Sequence, residues 1–307
     1  MKIFTVCFLI SIYSLSCTQT TKEDTSATCL AKWKKGEEKT ILISRTKKRF
    51  PPSEKFPVFN LTYEAHILVL DSSKDGYTIK WVFHLPEEFK ISNPGLAELL
   101  PVYEGLQMIF TTTPAGVFKE LMNWKEVKDA YIAMMEVSLP KNMDDSTRAI
   151  INRSNELFNS REMAEGTLIP EIRLYHAPYG NQFTTKETKS DTSLVDVNLF
   201  GGEPVPAIAI QKIKEINSRK DYLDATISVQ LDSVDAYKVV LGFLKKMNIP
   251  EDSDIVKAKE MLSGFQVTVH NEYRIKRSTG WIISLRSEKT GGASQLKQTE
   301  TFVYKMK

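Results

Sequence analysis

Residues 61–85 read LTYEAHILVLDSSKDGYTIKWVFHL, and this stretch decides the fold. Leu61, Tyr63, Ala65, Ile67 and Val69 fall at every second position, and so do Tyr77, Ile79, Trp81, Phe83 and Leu85. Two is the side-chain period of a strand. Between the runs lies Asp71-Ser72-Ser73-Lys74-Asp75-Gly76, whose Asp-Gly step is a hairpin signal. Both apolar sets carry odd numbers, so an even-sum register puts them on one face, toward a core. Glu64, His66 and His84 then share the opposite, more polar face.

The same grammar extends in both directions. Lys39 to Lys47 reads as a strand before the hairpin, with Pro51, Pro52 and Pro57 marking the loop between. Leu106–Thr112 and Val117–Leu121 form a second hairpin around Pro114 and Gly116. The middle of the chain changes period. Asn123 with Glu126 makes a capping-box-like start, and Trp124, Val127, Tyr131, Met134 and Met135 follow at helical spacing. A second helix is predicted over Ser146 to Met163, with Gly166 separating it from a shorter segment, Ile169 to Tyr175.

The last third returns mainly to strands: Gln182–Glu187, Leu194–Leu199, Val205–Ile216, Leu223–Leu231, Phe265–Lys276, Trp281–Glu288 and Gln298–Met306. Helices over Ser233–Met247 and Asp254–Leu262 interrupt them. Thr290-Gly291-Gly292-Ala293-Ser294 reads as the loop of the final pair, with Trp281, Ile283 and Leu285 inward. Asp75-Gly76-Tyr77-Thr78-Ile79 and Thr279-Gly280-Trp281-Ile282-Ile283 echo each other, which generic hairpin grammar accounts for. Strands, then helices, then strands imply α+β architecture: a largely antiparallel, curved sheet with helices packed against one face.

Composition bounds the function. Of 307 residues, 42% are hydrophobic and 26% charged, values that exclude a disordered chain or a multi-span membrane protein. A net charge of +3 argues against nucleic acid as a partner. The N-terminus holds the strongest signal. Lys2 precedes an apolar run from Ile3 to Ile12, too short for the ~20 residues of a membrane span, and Ser14-Leu15-Ser16-Cys17 follows. Residues 1–16 thus read as a signal peptide, 17–30 as a modified N-terminus and tether, and 31–307 as one α+β domain or two subdomains. Cys7 leaves with the signal, and Cys29 is expected as a small buried hydrophobe.

Chemical motifs are sparse. Glu64, His66 and His84 form the one metal cluster that the register suggests. Asp71-x-Ser73-x-Asp75-Gly76 opens like a calcium loop, but Val82 stands where the bidentate Glu belongs. Ser44-x-x-Lys47 lacks its enzyme partners. No Gly-x-Ser-x-Gly, His-Glu-x-x-His, Walker loop or dinucleotide fingerprint occurs, so no catalytic residue and no cofactor is assigned.

Cys17 after its apolar run resembles the lipobox of bacterial lipoproteins, with Ser14 where the usual pattern has Leu. The resemblance implies a diacylglyceryl group on Cys17 and attachment to a membrane. Ser14-x-Ser16 also fits ordinary signal peptidase, which would leave the thiol free. With the Gly76–Trp81 hairpin and the Thr279-Gly280-Trp281 strand pair, the chain resembles exported lipoproteins of Bacteroidetes type. It is also similar to the lipoprotein-carrier type, in which a curved antiparallel sheet cups an apolar ligand. These resemblances imply a cell-envelope protein, lipid-anchored on the periplasmic face or the cell surface, with a non-catalytic role. An apolar ligand would lie against Trp81, Phe83, Trp281 and Ile283. The alternatives are an envelope scaffold that binds another protein and, third, a hydrolase or metal enzyme.

Overall fold

In the computed structural model, Phe59–Ser73 (β3) and Gly76–His84 (β4) form the expected hairpin. The structure describes residues 25–50, 58–85, 106–138, 144, 148, 158–195, 205–231, 266–293 and 296–307. The stretch expected to be a signal peptide, Cys17, the Pro51–Pro57 loop and the helices expected over Ser233–Met247 and Asp254–Leu262 lie outside them. Most of the helix expected over Ser146–Met163 does too.

The hairpin register pairs Ala65 with Phe83, Ile67 with Trp81 and Val69 with Ile79. All six side chains are buried. The turn is tighter than the spacing suggests. Ser73 pairs with Gly76, leaving Lys74 and Asp75 as the loop, and a bulge between Val69 and Asp71 absorbs the extra residue.

β3 and β4 belong to an 11-stranded antiparallel sheet. Its other members are Glu38–Phe50 (β2), Gln107–Thr112 (β5), Phe118–Leu121 (β6), Thr188–Val195 (β8), Val205–Asn217 (β9), Tyr222–Leu231 (β10), Gln266–Lys276 (β11), Ile282–Ala293 (β12) and Leu296–Met306 (β13). Ser26–Thr28 (β1) and Gln182–Thr184 (β7) pair separately. The order β6-β5-β4-β3-β2-β13-β12-β11-β10-β9-β8 consists of two meanders. They join along one seam, β2 against β13, which pairs Ile43 with Tyr304, Arg45 with Phe302 and Lys47 with Glu300. β12 and β13 run to Ala293 and from Leu296, so the glycines expected in their loop lie within β12.

Three helices connect the meanders among the described residues: Trp124–Ser138 (α1), Arg161–Leu168 (α2) and Pro170–His176 (α3). Asn123 precedes α1 as expected, and its amide donates to Glu126 at 3.1 Å. Its Oδ1, however, accepts from the Ile109 N–H of β5, so the residue ties the helix to the sheet. Ser160 caps α2 by accepting from Met163 N–H at 3.2 Å. Gly166 lies inside α2 and does not break it.

α3 packs on the face that carries the odd-numbered side chains of β2, β3 and β4. Tyr273 Oη donates to Leu174 O, Tyr304 Oη donates to Glu171 O, and Ile282 N–H donates to Tyr175 Oη. The sheet thus receives the helix through tyrosine hydroxyls that satisfy otherwise buried backbone groups.

The N-terminal segment completes this end. Cys29 N–H donates to Asn181 O, Ala31 N–H to Ala115 O and Lys32 N–H to Thr279 O. Residues 26–30, grouped with the tether in the sequence, include β1 and the buried Cys29. Cys29 is buried, and burial pushes its thiol up to about 12, so it behaves as a small hydrophobe. Trp33 lies 5.0 Å from Tyr77 and stacks at 4.8 Å on Trp281. The two echoing hairpins therefore deliver their aromatics to one tryptophan. Gly76 (φ +134°) and Gly280 (φ +75°) allow it: an added Cβ would sit 1.9 Å from Thr112 O and 2.1 Å from Leu30 O.

Candidate functional site

The registers arrange the helix-bearing face in rows across the strands, and the rows change character with distance from α3. One row runs Ala225, Tyr273, Leu285, Tyr304, Ile43, Tyr63, all buried. The next runs Ile227, Asn271, Ser287, Phe302, Arg45, Leu61. The third runs Val229, Val269, Lys289, Glu300, Lys47, Phe59. An apolar layer thus gives way to a charged strip on the same side of the sheet. Because side chains alternate, these charges point where the core residues of the same strands point.

Arg45 occupies the boundary. Its Nε donates to Glu300 Oε1 at 2.7 Å and its guanidinium lies 5.1 Å from the Phe302 ring. A second carboxylate, Glu171 of α3, has its Oε1 3.8 Å from the guanidinium and accepts from Tyr63 Oη at 3.0 Å. Burial opposes the Arg45 charge, but Glu300 and Glu171 outweigh it and hold the guanidinium above its ordinary range. Burial lifts the Glu171 carboxyl above the usual carboxylate range, with Arg45 and Tyr63 pulling against it.

Lys289 stands apart. Burial pushes its ammonium below the ordinary lysine range, Glu300 opposes that, and Lys47 adds a like charge. Among the described residues neither Lys289 nor Lys47 makes a hydrogen bond or ion pair. Half-buried Val229 and Val269 flank the strip on one side and Phe59, 42% exposed, on the other. Beside Lys289 on β11, the buried Asn271 Oδ1 has no hydrogen-bond partner. The sequence reading missed this site. Its signal was present, since Ile41, Ile43, Arg45 and Lys47 keep one parity in β2 while the residue type switches from apolar to charged.

The residues expected to hold an apolar ligand lie elsewhere. Trp81 is fully buried, with its ring 5.5 Å from Tyr175 of α3 and 6.1 Å from Phe83. Phe83 and Trp281 are buried too, and Trp281 Nε1 donates to Glu37 Oε2 at 3.0 Å. A bulge breaks the alternation in β12, so Ile282 is buried and Ile283 only half-buried. Protein side chains pack against these aromatics, Tyr175 of α3 on Trp81 and Trp33 on Trp281.

Glu64, His66 and His84 do share the opposite face. The two imidazoles lie 4.3 Å apart and Glu64 Oε2 is 3.7 Å from His66 Nε2. Lys307 takes the other oxygen of Glu64 and holds the carboxyl below its usual range. Among the described residues no group of three His, Cys, Asp or Glu side chains has a metal-holding arrangement. The histidines instead line a shallow depression of about 290 Å³ with Glu38, Lys39, Lys80 and Val82.

One further constellation has catalytic residue types. Ser228 Oγ lies 2.8 Å from His270 Nδ1, and His270 Nε2 lies 3.5 Å from Glu272. Lys214 pairs with that carboxylate. The group sits on the open sheet face, between strands paired on both sides. Among the described residues, the N–H groups of these strands are spent in the ladder and are not free to serve as oxyanion donors beside the hydroxyl. The arrangement is that of a polar cross-strand network.

No family model matches the chain, and no curated protein matches it. Among solved structures it is distantly similar to a lipovitellin, in a structure concerned with lipid–protein interactions. The identity is 10% and the TM-score 0.41, over 89% of this chain and 25% of that one. The chain thus spans about a quarter of the length of that lipovitellin.

Proposed function

We propose that this chain is an exported, membrane-tethered binding protein that holds an apolar or amphiphilic ligand against the helix-bearing face of its sheet. The observation that carries the reading is the change along that face. Near α3 it is a closed aromatic layer. Beyond Arg45 it becomes a half-buried strip in which two lysines lack partners and valines and a phenylalanine stand on either side. A desolvated, unpaired cation such as Lys289 costs stability, and a fold keeps such a group where a ligand repays it.

The filled packing around Trp81, Phe83 and Trp281 favours this strip over those aromatics as the ligand surface. The tether rests on the sequence: a short apolar run, small residues and Cys17. Thr18 to Thr28 is polar and small, and its last three residues, Ser26–Thr28, form β1. Several acyl chains on one cysteine meet the requirement for stable anchoring. No acid–base pair in the strip is set for catalysis, since Arg45 already neutralises Glu300.

The test is native mass spectrometry of the full chain purified from membranes, with lipid extraction and intact-mass measurement of the N-terminus. The expected result is a copurifying apolar molecule, and acyl mass on residue 17. Protein that carries no such molecule and takes up none from added lipid overturns the binding reading. A free, unmodified Cys17 overturns the anchor.

A further inference from the structure

The strip also has a sign. Three cations, Arg45, Lys47 and Lys289, face the helix-bearing side within two adjacent rows, with Phe302 and Glu300 between them. Against them stand Glu300, already engaged by Arg45, and Glu171, sequestered behind Arg45 beneath Tyr63. Lys289 and Lys47 lie directly opposite Glu300 on its two neighbouring strands. Cross-strand neighbours of this kind have Cβ atoms roughly 5 Å apart. Glu300 turns its oxygens toward Arg45, so both ammonium groups flank one carboxylate without pairing to it. Val229 and Val269 continue the row beyond Lys289, and Phe59 continues it beyond Lys47.

We infer that this row is a headgroup site: Lys289 and Lys47 bind the anionic head of an amphiphile whose apolar chain lies along Val229 and Val269. The inference rests on the proposed binding function and names the chemistry of its ligand. Three features support a negative charge there. Three cations stand against two carboxylates, and both carboxylates, Glu300 and Glu171, lie against Arg45 rather than against either lysine. Burial raises the cost of leaving Lys289 charged and alone, which an anion removes. Ammonium groups on either side of a fixed Arg–Glu pair suit a carboxylate or phosphate held by two charge-assisted hydrogen bonds. The unpartnered Asn271 Oδ1 is an acceptor, so it suits a hydroxyl or a protonated oxygen of the same head. A neutral chain would gain the apolar contacts and none of these.

Displacement of a fluorescent fatty-acid probe from the delipidated full chain tests this. The competitors are hexadecanoate, its methyl ester, and inorganic phosphate at millimolar concentration. The expected result is displacement by hexadecanoate at about tenfold lower concentration than by the ester, a difference of about 1.4 kcal/mol, with phosphate ineffective. Lys289→Met with Lys47→Met should erase the preference while the ester competes unchanged. Lys305→Met, on the opposite face, should leave the preference intact. Equal potency of acid and ester, or a preference that survives the double substitution, overturns the headgroup site and leaves the binding function standing. Displacement by phosphate alone overturns the amphiphile and leaves a simple anion site. Failure of the protein to bind the probe at all overturns the binding function itself. Circular dichroism of each variant shows whether a loss is one of folding.

Discussion

The two ends of the helix-bearing face use the same strands, the same alternation and the same direction of side chains, yet they are built for opposite purposes. At the α3 end, Tyr273, Leu285, Tyr304 and Ile43 of β11, β12, β13 and β2 are all buried, and beside them Trp33, Tyr77, Trp81, Tyr175, His176, Tyr179 and Trp281 interlock, with ring centroids 4.8 to 6.5 Å apart in the contacts that link them. At the other end, Arg45, Lys47, Lys289 and Glu300 occupy equivalent positions of the pleat. The first arrangement maximises buried apolar area and so stability. The second places charge where water is scarce and leaves part of it unpaired, which works against stability. A single sheet can therefore keep the packing that holds the fold apart from the strip proposed to meet a ligand.

The comparison breaks most sharply with Trp81→Ala. Removing a fully buried indole should cost about 3–5 kcal/mol, seen as a lower urea midpoint. Phe59→Ala, on the exposed side of the strip, should cost well under about 1 kcal/mol by the same measurement.

The next effect is pH-dependent. His176 is buried and its Nδ1 lies 2.8 Å from Gly116 O. Burial lowers its pKa from 6.5 to about 4. The unfolded chain then binds the proton more readily than the folded one, so stability is full above pH 6.5 and falls as pH drops toward 4. The loss is on the order of 3 kcal/mol. Glu171 acts in the opposite direction: its raised pKa favours the fold most below pH 4.5 and less as pH rises. Urea titrations from pH 7 to 4 should show the acid loss in the native chain and a flatter profile in His176→Gln.

At the charged end, Glu300→Leu leaves Arg45, whose side chain is 32% exposed, with the more distant Glu171 at 3.8 Å. Partial solvation limits the cost to about 1–2 kcal/mol. Lys289→Met should have the smallest effect and the opposite sign, a gain of up to about 1 kcal/mol in chemical denaturation. A loss on Lys289→Met would mean that the strip stabilises the fold, and the contrast between the two ends would disappear.

Much of this was legible in the chain. The 61–85 hairpin, its even-sum register and the shared face of Glu64, His66 and His84 follow from parity alone. The two hairpin glycines follow from turn chemistry. The echo between Gly76-Tyr77 and Gly280-Trp281 was visible but had no local explanation, because its cause is Trp33, more than 40 residues from either. The charged strip was hidden for a related reason. Arg45, Glu171, Lys289 and Glu300 lie on four separate elements, and no spacing in the sequence brings them together.

Local alternation determined the strands, their inward faces and the antiparallel class, since each depends on neighbours a few residues away. The N-terminal residues carry the expectation of export and tethering by themselves. The tertiary structure alone decided the seam. Pairing β2 with β13 closes a separation of more than 240 residues, and nothing local selects that register over its alternatives. That seam sets Lys47 against Glu300 and Arg45 against Phe302, and so it turns scattered charges into one site. Long-range pairing is fixed by the sum of buried contacts along both strands, a quantity that exists only once the chain has folded.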